Sequence, residues 1–540
     1  MTRLSWRLAC AALFVSMTAP LHAQTFSVDD PVLRRIWELG MEQSRAAELA
    51  QVLMDSVGPR LTGAPGQLAA HDWAVKAYTS FGVQAENEQY GTWTAWRRGT
   101  HHIDLIAPRV KTLWAEVPSW SGGTNGTVEG DVVLPPAVAS AAEFDAWLPQ
   151  ARGKFVLTVP ALLSCRHDRQ WEEYGTPGAL ERLDAAQQEA NAAFAQRFQA
   201  ADVSTNQLSQ RLAEAGVAGL LRSSWRYDGT LGILSTSIRT VPTIDLTCED
   251  YGLLYRLALN DQAPRLRANV DVEFTGTAPT YNTIATIPGG ERAGEYVMLS
   301  AHYDSWDAGS GATDNGTGSI VMMEAMRILK AAYPNPRRTI IAGLWSGEEQ
   351  GLNGSEAWRA DHPEVVEKMQ ALFNQDNGTG RVVRISTQGL MRAGEYFARW
   401  LSRVPNEITQ HIRLDTPGSP GSGGTDSSSF ICAGAPAFGL GSLSWDYNPY
   451  THHTNLDTYD KIVLEELRNN ATLTAMLVYL ASEEPDLMPR DRRPLAAGRG
   501  GRGGRGGRGG GAATPTGPQP LQWPNCQNAQ RADPRAGGGL

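Results

Sequence analysis

The stretch Tyr296-Val-Met-Leu-Ser-Ala301 is an almost entirely apolar run that leads directly into His302-Tyr303-Asp304. Such a run is typical of a strand that is buried on both faces of a sheet. Residues 339–345 and 371–374 form two further apolar runs, and apolar residues recur at helical spacing across residues 321–332. Strands that alternate with helices predict an α/β fold, whose mostly parallel sheet is covered by helices on both sides.

Each of the three predicted strands is followed by side chains that are able to bind a metal ion. These side chains are His302, Asp314, Glu348, Glu349 and Asp376. Because ligands bind at the carboxyl ends of the strands in open α/β sheets, we expect these groups to face one cleft. Two more imidazoles, of His452 and His453, follow later in the chain.

The type and number of these groups point to zinc chemistry. Imidazole and carboxylate ligands suit Zn²⁺, and thiolates are not required. The groups outnumber the ligands of a single catalytic zinc, which favours two ions about 3.5–4 Å apart that share a carboxylate. Asp314 lies in a glycine-flanked loop between a strand and a helix, where such a bridging ligand fits.

The adjacent carboxylates Glu348 and Glu349 suggest a division of labour. One of them is predicted to bind metal while its neighbour acts as general base toward a water at the metal. Asp304, two residues beyond His302, is predicted to accept the second imidazole proton and to fix the tautomer of that ring.

Five blocks of sequence carry these residues in a fixed order. They are His302-x-Asp304, Gly311-Ala-Thr-Asp314-Asn-Gly-Thr-Gly318, Gly347-Glu348-Glu349-x-Gly351-Leu-x-Gly354-Ser355, Asp376 and His453-Thr-x-x-Asp457-Thr458. Their order and spacing closely resemble the M28 family of co-catalytic zinc exopeptidases, over about residues 281–485. Val57-Gly-Pro-Arg-Leu-Thr-Gly63 and an inserted segment extend the resemblance to members with a protease-associated (PA) domain. His452-His453-Thr454 is similar to the plasma glutamate carboxypeptidase type.

The resemblance implies a role for each of the metal-binding positions. Asp314 would bridge two zinc ions. His302 and Asp376 would complete one site, and Glu349 and His453 would complete the other. Glu348 would be the general base that takes a proton from the attacking water and later protonates the leaving amine. Asp304 would orient His302.

Two further residues receive expected roles near the substrate. Asp426 falls where family members often place a residue close to the substrate. Several relatives carry Tyr immediately before the last metal-binding histidine, where this sequence has His452. His452 is therefore a candidate hydrogen-bond donor to the oxyanion. The alternative is that His452 only contacts a metal ligand and does not reach the substrate.

The implied activity is that of a secreted di-zinc metallo-exopeptidase, which hydrolyses peptides or dipeptides at a free terminus. The sequence does not decide which terminus of the substrate is recognised. Asp426 favours an amine, and no single Arg stands out as a partner for a carboxylate. One alternative is a zinc amidase or deacylase that acts on N-acyl amino acids. Another is a non-catalytic binding module of the same fold, which is disfavoured because no metal ligand is missing.

Both ends of the chain differ from the body. Residues 1–23 carry Arg3 and Arg7, an apolar run over residues 8–17 and the ending Leu21-His22-Ala23, which together predict a secretory signal peptide that is cleaved near Ala23. Export to the periplasm or to the medium follows. The remaining expected units are residues 24–122, the N-terminal part of the peptidase domain; 123–275, an inserted β-rich PA-like domain; 276–485, the catalytic domain; and 486–540, a disordered Arg/Gly-rich tail.

The charge distribution argues against a body that binds nucleic acid. The 540 residues carry a net charge of −9. The first 23 residues contain two Arg, and the residues from position 486 onward contain nine Arg and three Asp. The residues between them therefore carry a net charge of −17. The Arg-Gly-Gly repeat at 498–511 is expected to be a disordered linker, with binding of RNA or of an anionic surface as the alternative.

Composition limits the remaining possibilities. A content of 41% hydrophobic and 19% charged residues excludes a mostly disordered chain. No segment after the signal peptide reaches the ~20 apolar residues of a membrane span. The sequence does not decide whether the protein forms a homodimer. Cys165 and Cys248 fall in one predicted domain, where a disulfide and two free thiols are equally compatible with the sequence.

Overall fold

The computed structural model describes residues 29–225, 230–493 and 523–535. The predicted signal peptide and the Arg-Gly-Gly repeat lie outside the described residues. Within the described ranges, none of the helices is both long enough and apolar enough to cross a membrane.

Fourteen strands are described. They are β1 Gln84–Ala107, β2 Lys111–Thr112, β3 Ala115–Glu116, β4 Val128–Val133, β5 Phe155–Leu157, β6 Gly219–Arg222, β7 Thr243–Leu246, β8 Arg265–Ile287, β9 Arg292–His302, β10 Arg338–Trp345, β11 Met369–Asn374, β12 Val382–Ser386, β13 Arg413–Asp415 and β14 Ala437–Ser442.

Fifteen α-helices are described together with these strands. They are α1 Pro31–Trp37, α2 Ala46–Gln51, α3 Pro65–Ser80, α4 Ala141–Trp147, α5 Asp168–Tyr174, α6 Ala179–Gln199, α7 Thr205–Glu214, α8 Cys248–Leu259, α9 Thr317–Ala332, α10 Asn353–Asp361, α11 Pro363–Glu367, α12 Ala393–Leu401, α13 Asn406–Thr409, α14 Ser427–Ile431 and α15 Leu464–Glu483.

The three apolar runs of the sequence form the centre of a parallel sheet. β9 lies between β10 and β11 and is parallel to both, and β14 extends this parallel core beyond β11. Every residue of β10 and β11 is buried because helices cover both faces of the sheet. On one face α9 and α15 pack together over the strands. The predicted α/β class with a mostly parallel sheet is confirmed.

Two long antiparallel strands connect this sheet to a second unit. β1 and β8 pair along nearly their whole length, and β8 also borders β10 at one end and β4 at the other. Beyond β4, the strands β5, β6 and β7 continue as a short parallel sheet. This unit has its own hydrophobic clusters, separate from the cluster beneath α9. The predicted boundaries at 123 and 275, and the PA-like character of the unit, stay predictions.

Two disulfide bonds join distant parts of the chain. Cys165 pairs with Cys248 inside the second unit, which decides between the two arrangements that the sequence allowed. Cys432 pairs with Cys526, a residue of the C-terminal region.

The prediction that residues 486–540 form one disordered tail is wrong for part of that range. Residues 486–493 and 523–535 pack on the body of the protein. Met488 is buried, and the Trp523 Nε1 donates a hydrogen bond to the Ile431 carbonyl at 2.8 Å. The physical reason is that a few apolar side chains and the Cys432–Cys526 disulfide anchor a segment whose overall composition is polar and rich in glycine.

Candidate active site

The predicted metal-binding residues meet at the carboxyl edge of the parallel sheet. His302 is the last residue of β9, and Glu348 and Glu349 lie in the turn that follows β10. Asp376 comes two residues after β11. Asp314 lies in a short helical turn that leads into α9, and His453 follows another such turn. The strands thus deliver these side chains to one place, as expected for an open α/β sheet.

Asp314 lies at the centre of the cluster and uses both of its carboxylate oxygens. Its Oδ1 is 3.2 Å from the His302 Nε2, which is also 3.1 Å from the Asp376 Oδ1. Its Oδ2 is 3.3 Å from the His453 Nε2, which is 2.9 Å from the Glu349 Oε2. The cluster therefore has two halves that share the Asp314 carboxylate.

These separations fit metal coordination. Zinc ligands at about 2.0–2.2 Å in a tetrahedral arrangement lie roughly 3.3 Å from one another. Among the described residues, the Asp314 Oδ2 and the Glu349 Oε1 are buried and accept no hydrogen bond. Buried carboxylate oxygens without donors are costly unless a cation lies beside them, so the donor set suits zinc.

The orientation of His302 differs in one detail from the prediction. Its Nδ1 lies 3.1 Å from the main-chain carbonyl of Asp304 and 3.6 Å from the carboxylate of that residue. The carbonyl thus accepts the Nδ1 proton, which leaves the Nε2 lone pair directed at the cluster. The Asp304 carboxylate instead accepts the backbone N–H groups of Glu348 and Glu349, both at 3.3 Å. Asp304 therefore positions three neighbours of the cluster.

Burial shapes the electrostatics of the two adjacent glutamates. It raises the pKa of Glu348, and likewise of Glu349, well above the usual range, and the neighbouring carboxylates add to this effect. For Asp314, burial acts in the same direction, but the His302 and His453 imidazoles hold its pKa below the usual range. The cluster thus contains both a proton-accepting carboxylate and a carboxylate that stays ionised.

Asp457 holds the loop that carries Asp314. This residue belongs to one of the five sequence blocks but received no predicted role. The Asp457 Oδ1 accepts the Thr313 backbone N–H at 2.7 Å, and its Oδ2 accepts the Asp314 N–H at 3.0 Å. Asp457 lies four residues after His453, so one short segment both supplies a cluster imidazole and fixes the position of Asp314.

Arg60 is a second supporting residue that received no role from the sequence. Its guanidinium is fully buried and donates to the carbonyls of Tyr303, Ser310 and Gly311. These carbonyls belong to the loop between His302 and Asp314. The signal was present in Val57-Gly-Pro-Arg-Leu-Thr-Gly63, where a basic residue stands in an otherwise uncharged motif.

His453 is supported by the second unit of the fold. Its main-chain carbonyl accepts a hydrogen bond from the Ile233 N–H at 2.7 Å, and its ring stacks on His452 with a centroid separation of 3.8 Å. The Leu231 N–H donates to the Asn455 Oδ1 at 2.9 Å. The loop around residues 231–233 therefore fixes the backbone of the segment that carries both histidines.

The cluster opens into a cavity of about 640 Å³. Its wall contains four cluster carboxylates and both histidines, together with Tyr447 and, from the C-terminal segment, Gln527. Asp426 is fully buried and is not part of this wall, so the structure does not bring it to the position of a direct substrate contact. Burial raises the pKa of Asp426 to about 7.

The family model of peptidase family M28 matches residues 282–478, the part of the chain that supplies every residue of the cluster. These residues form a peptidase family M28 domain. The chain is 25% identical over 457 residues to carboxypeptidase Q of Rattus norvegicus, and these residues are 84% of this chain and 88% of the relative. The resemblance drawn from the five sequence blocks is thereby confirmed.

Solved structures agree with the M28 fold. The M28 peptidase precursor from Shewanella amazonensis SB2B superimposes with a TM-score of 0.60 at 23% identity, over 85% of this chain and 98% of that chain. BSAP, a zinc aminopeptidase from Bacillus subtilis, gives a TM-score of 0.50 at 17% identity, over 81% of this chain and 94% of that one. With the carboxylate–imidazole cluster, the family match identifies the chain as a zinc metallopeptidase, and so a hydrolase.

Proposed function

We propose that this M28 peptidase binds two zinc ions and removes residues from the free amino terminus of short peptides, including dipeptides. The observation that carries the proposal is the placement of Asp314, whose two oxygens face different imidazoles at 3.2 and 3.3 Å. His302 and Asp376 would hold one ion with Asp314. Glu349 and His453 would hold the other. A single ion would use only half of this arrangement.

The reaction would use the unequal protonation behaviour of the cluster. When bound, the zinc ions supply Lewis-acid polarisation of the scissile carbonyl and make water more acidic. Glu348 lines the same cavity wall, and its raised pKa would make its carboxylate, once ionised, a stronger base toward the attacking water. The same carboxyl group then delivers that proton to the leaving amine. The Asp304 carboxylate keeps Glu348 in place by accepting the Glu348 backbone N–H.

Tyr447 is the group that we assign to the developing oxyanion. It lines the cavity, and its ring lies 5.0 Å from that of His452. Burial and the nearby Asp314 and Asp376 carboxylates raise its pKa well above the usual value, so the phenol keeps its proton at neutral pH. A protonated phenol is a hydrogen-bond donor, as an oxyanion requires. His452 is the second candidate, since it lies in the same wall.

Recognition of an amine is supported by the charges of the cavity wall. No Arg or Lys occurs among the described residues that line it, whereas Asp314, Glu348, Glu349 and Asp376 all do. A substrate carboxylate would therefore meet no cationic side chain of this wall, which favours binding through the amino terminus. Asp426, which the sequence offered as a partner for the substrate amine, lies outside the wall.

The test is a survey of peptide products by mass spectrometry. Wild-type enzyme with zinc is incubated with matched peptides that have free ends, an acetylated amino end or an amidated carboxyl end. We expect amino-end acetylation to abolish cleavage and carboxyl-end amidation to be tolerated. Cleavage of the acetylated peptides alone would favour the amidase or deacylase alternative, and loss of cleavage on amidation would assign carboxypeptidase activity.

Export and domain organisation belong to the same proposal. Two disulfides among the described residues support an oxidising compartment, in agreement with the predicted signal peptide at residues 1–23. We assign residues 123–275 to a PA-like inserted domain because this range holds all of one hydrophobic cluster, most of a second and a short parallel sheet. Its loop at residues 231–233 is positioned to support the histidine segment of the active site.

A further inference from the structure

Residues 523–535 form a C-terminal segment that crosses the surface from the catalytic sheet to the second unit, here called the strap. Its first anchor is Trp523, whose indole donates to the Ile431 carbonyl and lies under the Arg492 guanidinium at 4.7 Å. Three residues later, Cys526 is bonded to Cys432, immediately after α14. The start of the strap is thus fixed by both a disulfide and an aromatic side chain.

The middle of the strap is held by α10, the helix that follows the Glu348–Glu349 turn. The Gln527 N–H donates to the Glu356 Oε1 at 3.4 Å, and the Gln527 carbonyl accepts from Arg359 at 3.2 Å. Glu356 and Arg359 form an ion pair with each other at 2.6 Å. The main-chain N–H and carbonyl of Gln527 are therefore both engaged, and Gln527 lies in the wall of the active-site cavity.

The end of the strap is fixed to β1 and to the second unit. The Thr92 N–H donates to the Arg531 carbonyl at 2.8 Å, at a point where Gly91 leaves space for the strap. A Cβ on Gly91 would lie 2.3 Å from that carbonyl oxygen, so a larger residue there would displace the strap. Asp533 is buried and accepts hydrogen bonds from Thr94 at 2.5 Å and from Arg239 at 2.9 Å.

These anchors at both ends prevent the strap from moving away from the cavity as a free tail would. We propose that the strap is a fixed wall of the substrate cleft and that Gln527 is a specificity-determining residue, which limits the length of the peptide that the enzyme accepts. The inference rests on the proposed peptidase activity of the same cavity. Gln527 is exposed on the described surface, so its side chain is available to contact a bound peptide beyond the cluster.

The experiment compares kcat/KM for an alanine dipeptide and an alanine pentapeptide in the zinc-loaded full chain. We expect Gln527→Ala to raise the pentapeptide-to-dipeptide ratio on the order of threefold to tenfold, because truncation widens the cleft. Gln527→Trp is expected to lower the same ratio. The double variant Cys432→Ser, Cys526→Ser is expected to raise it, since one anchor of the strap is lost.

Asn528→Ala is the matched control, because Asn528 is the exposed neighbour of Gln527 and is not among the residues that line the cavity. Its ratio should equal that of the wild type. Equal ratios in all variants, with normal wild-type cleavage, would overturn the role of the strap and leave the proposed function intact. A wild type that cleaves neither peptide would overturn both proposals.

Discussion

Glu348 and Glu349 are adjacent and similarly buried, yet the geometry separates their roles. Both line the cavity, and the Glu349 Oε2 also lies 2.9 Å from the His453 Nε2, so we assign Glu349 to the metal and Glu348 to the water. We expect Glu348→Gln to keep normal zinc content and to lower kcat about 10²–10⁴-fold, because the amide cannot accept the proton of the attacking water. Metal analysis of the purified variant and steady-state kinetics measure the two effects.

Glu349→Gln serves as the comparison for this prediction. It should lose zinc as well as activity, since the substitution removes a ligand of one half of the cluster. A Glu348→Gln enzyme with full turnover, or one without zinc, would show that the two roles have been assigned wrongly.

The oxyanion assignment gives a second prediction at this scale. Tyr447→Phe removes only the hydroxyl group and should lower kcat about 10²–10³-fold, with little change in KM, because the donor is needed in the transition state. His452→Ala should have a smaller effect on kcat. If the larger loss in kcat follows from the histidine variant, His452 and not Tyr447 is the donor.

Residue positions in the cluster were predictable because each follows a strand or a short loop that the sequence marks clearly. The hydrogen-bond partner of the His302 Nδ1 was not predictable. The Asp304 carbonyl lies 3.1 Å from it and the Asp304 carboxylate 3.6 Å, and the choice between them depends on side-chain orientation. The absence of Asp426 from the cavity wall has the same origin. Sequence spacing places a residue on a loop, but packing decides whether its side chain reaches the surface.

At the scale of elements, the join between the Asp314 turn and α9 leaves no room for a side chain at Gly318. A Cβ on Gly318 would lie 2.2 Å from the Asn315 Oδ1 and 2.4 Å from the Gln375 carbonyl oxygen. Asn315 follows Asp314 and Gln375 precedes Asp376, and the two are joined by a hydrogen bond of 2.8 Å. A side chain at position 318 would therefore push apart two loops that carry metal ligands.

We expect Gly318→Ala to weaken zinc binding about 10–100-fold, the usual cost of disturbing the groups that orient metal ligands. Competition with a chromogenic chelator measures this change. Gly294→Ala is the control, because a Cβ at that position in β9 would meet no atom within 4 Å. Equal zinc affinity in both variants would show that the loops relax around the added methyl group.

Elements with strong periodicity were predictable, and elements defined by distant partners were not. The buried strands β9, β10 and β11 follow from their apolar composition alone. The composition predicts disordered chain where the strap lies, because the anchors of the strap are single residues whose partners lie far away, such as Cys432, which is 94 positions before Cys526. Composition averages over such residues, whereas a disulfide and a buried aspartate fix the segment individually.

At the scale of the whole molecule, the site concentrates negative charge that the fold must tolerate. Glu348 and Glu349 are adjacent and half-buried, and the burial of their carboxylates raises the pKa of each. Without metal, the folded chain therefore keeps protons that the unfolded chain releases above about pH 4.3. The metal-free protein should lose stability as pH rises from that value toward the raised pKa values, because the unfolded state then binds fewer protons.

Zinc should reverse this loss, and more strongly at higher pH. Bound zinc replaces the retained protons as the positive charge in the cluster, and it binds better when the histidines are neutral. We expect the gain in Tm on adding zinc to the stripped protein to be larger at about pH 8 than at about pH 5.5. At a free zinc concentration of 100 times Kd, each site contributes about 2.7 kcal/mol. Differential scanning calorimetry of stripped and reloaded protein at both pH values measures the two increments.

The variant Glu348→Gln should show a flatter pH dependence in its stripped form, because the amide does not titrate. An equal zinc increment at both pH values would mean that protons do not compete with the metal in this cluster.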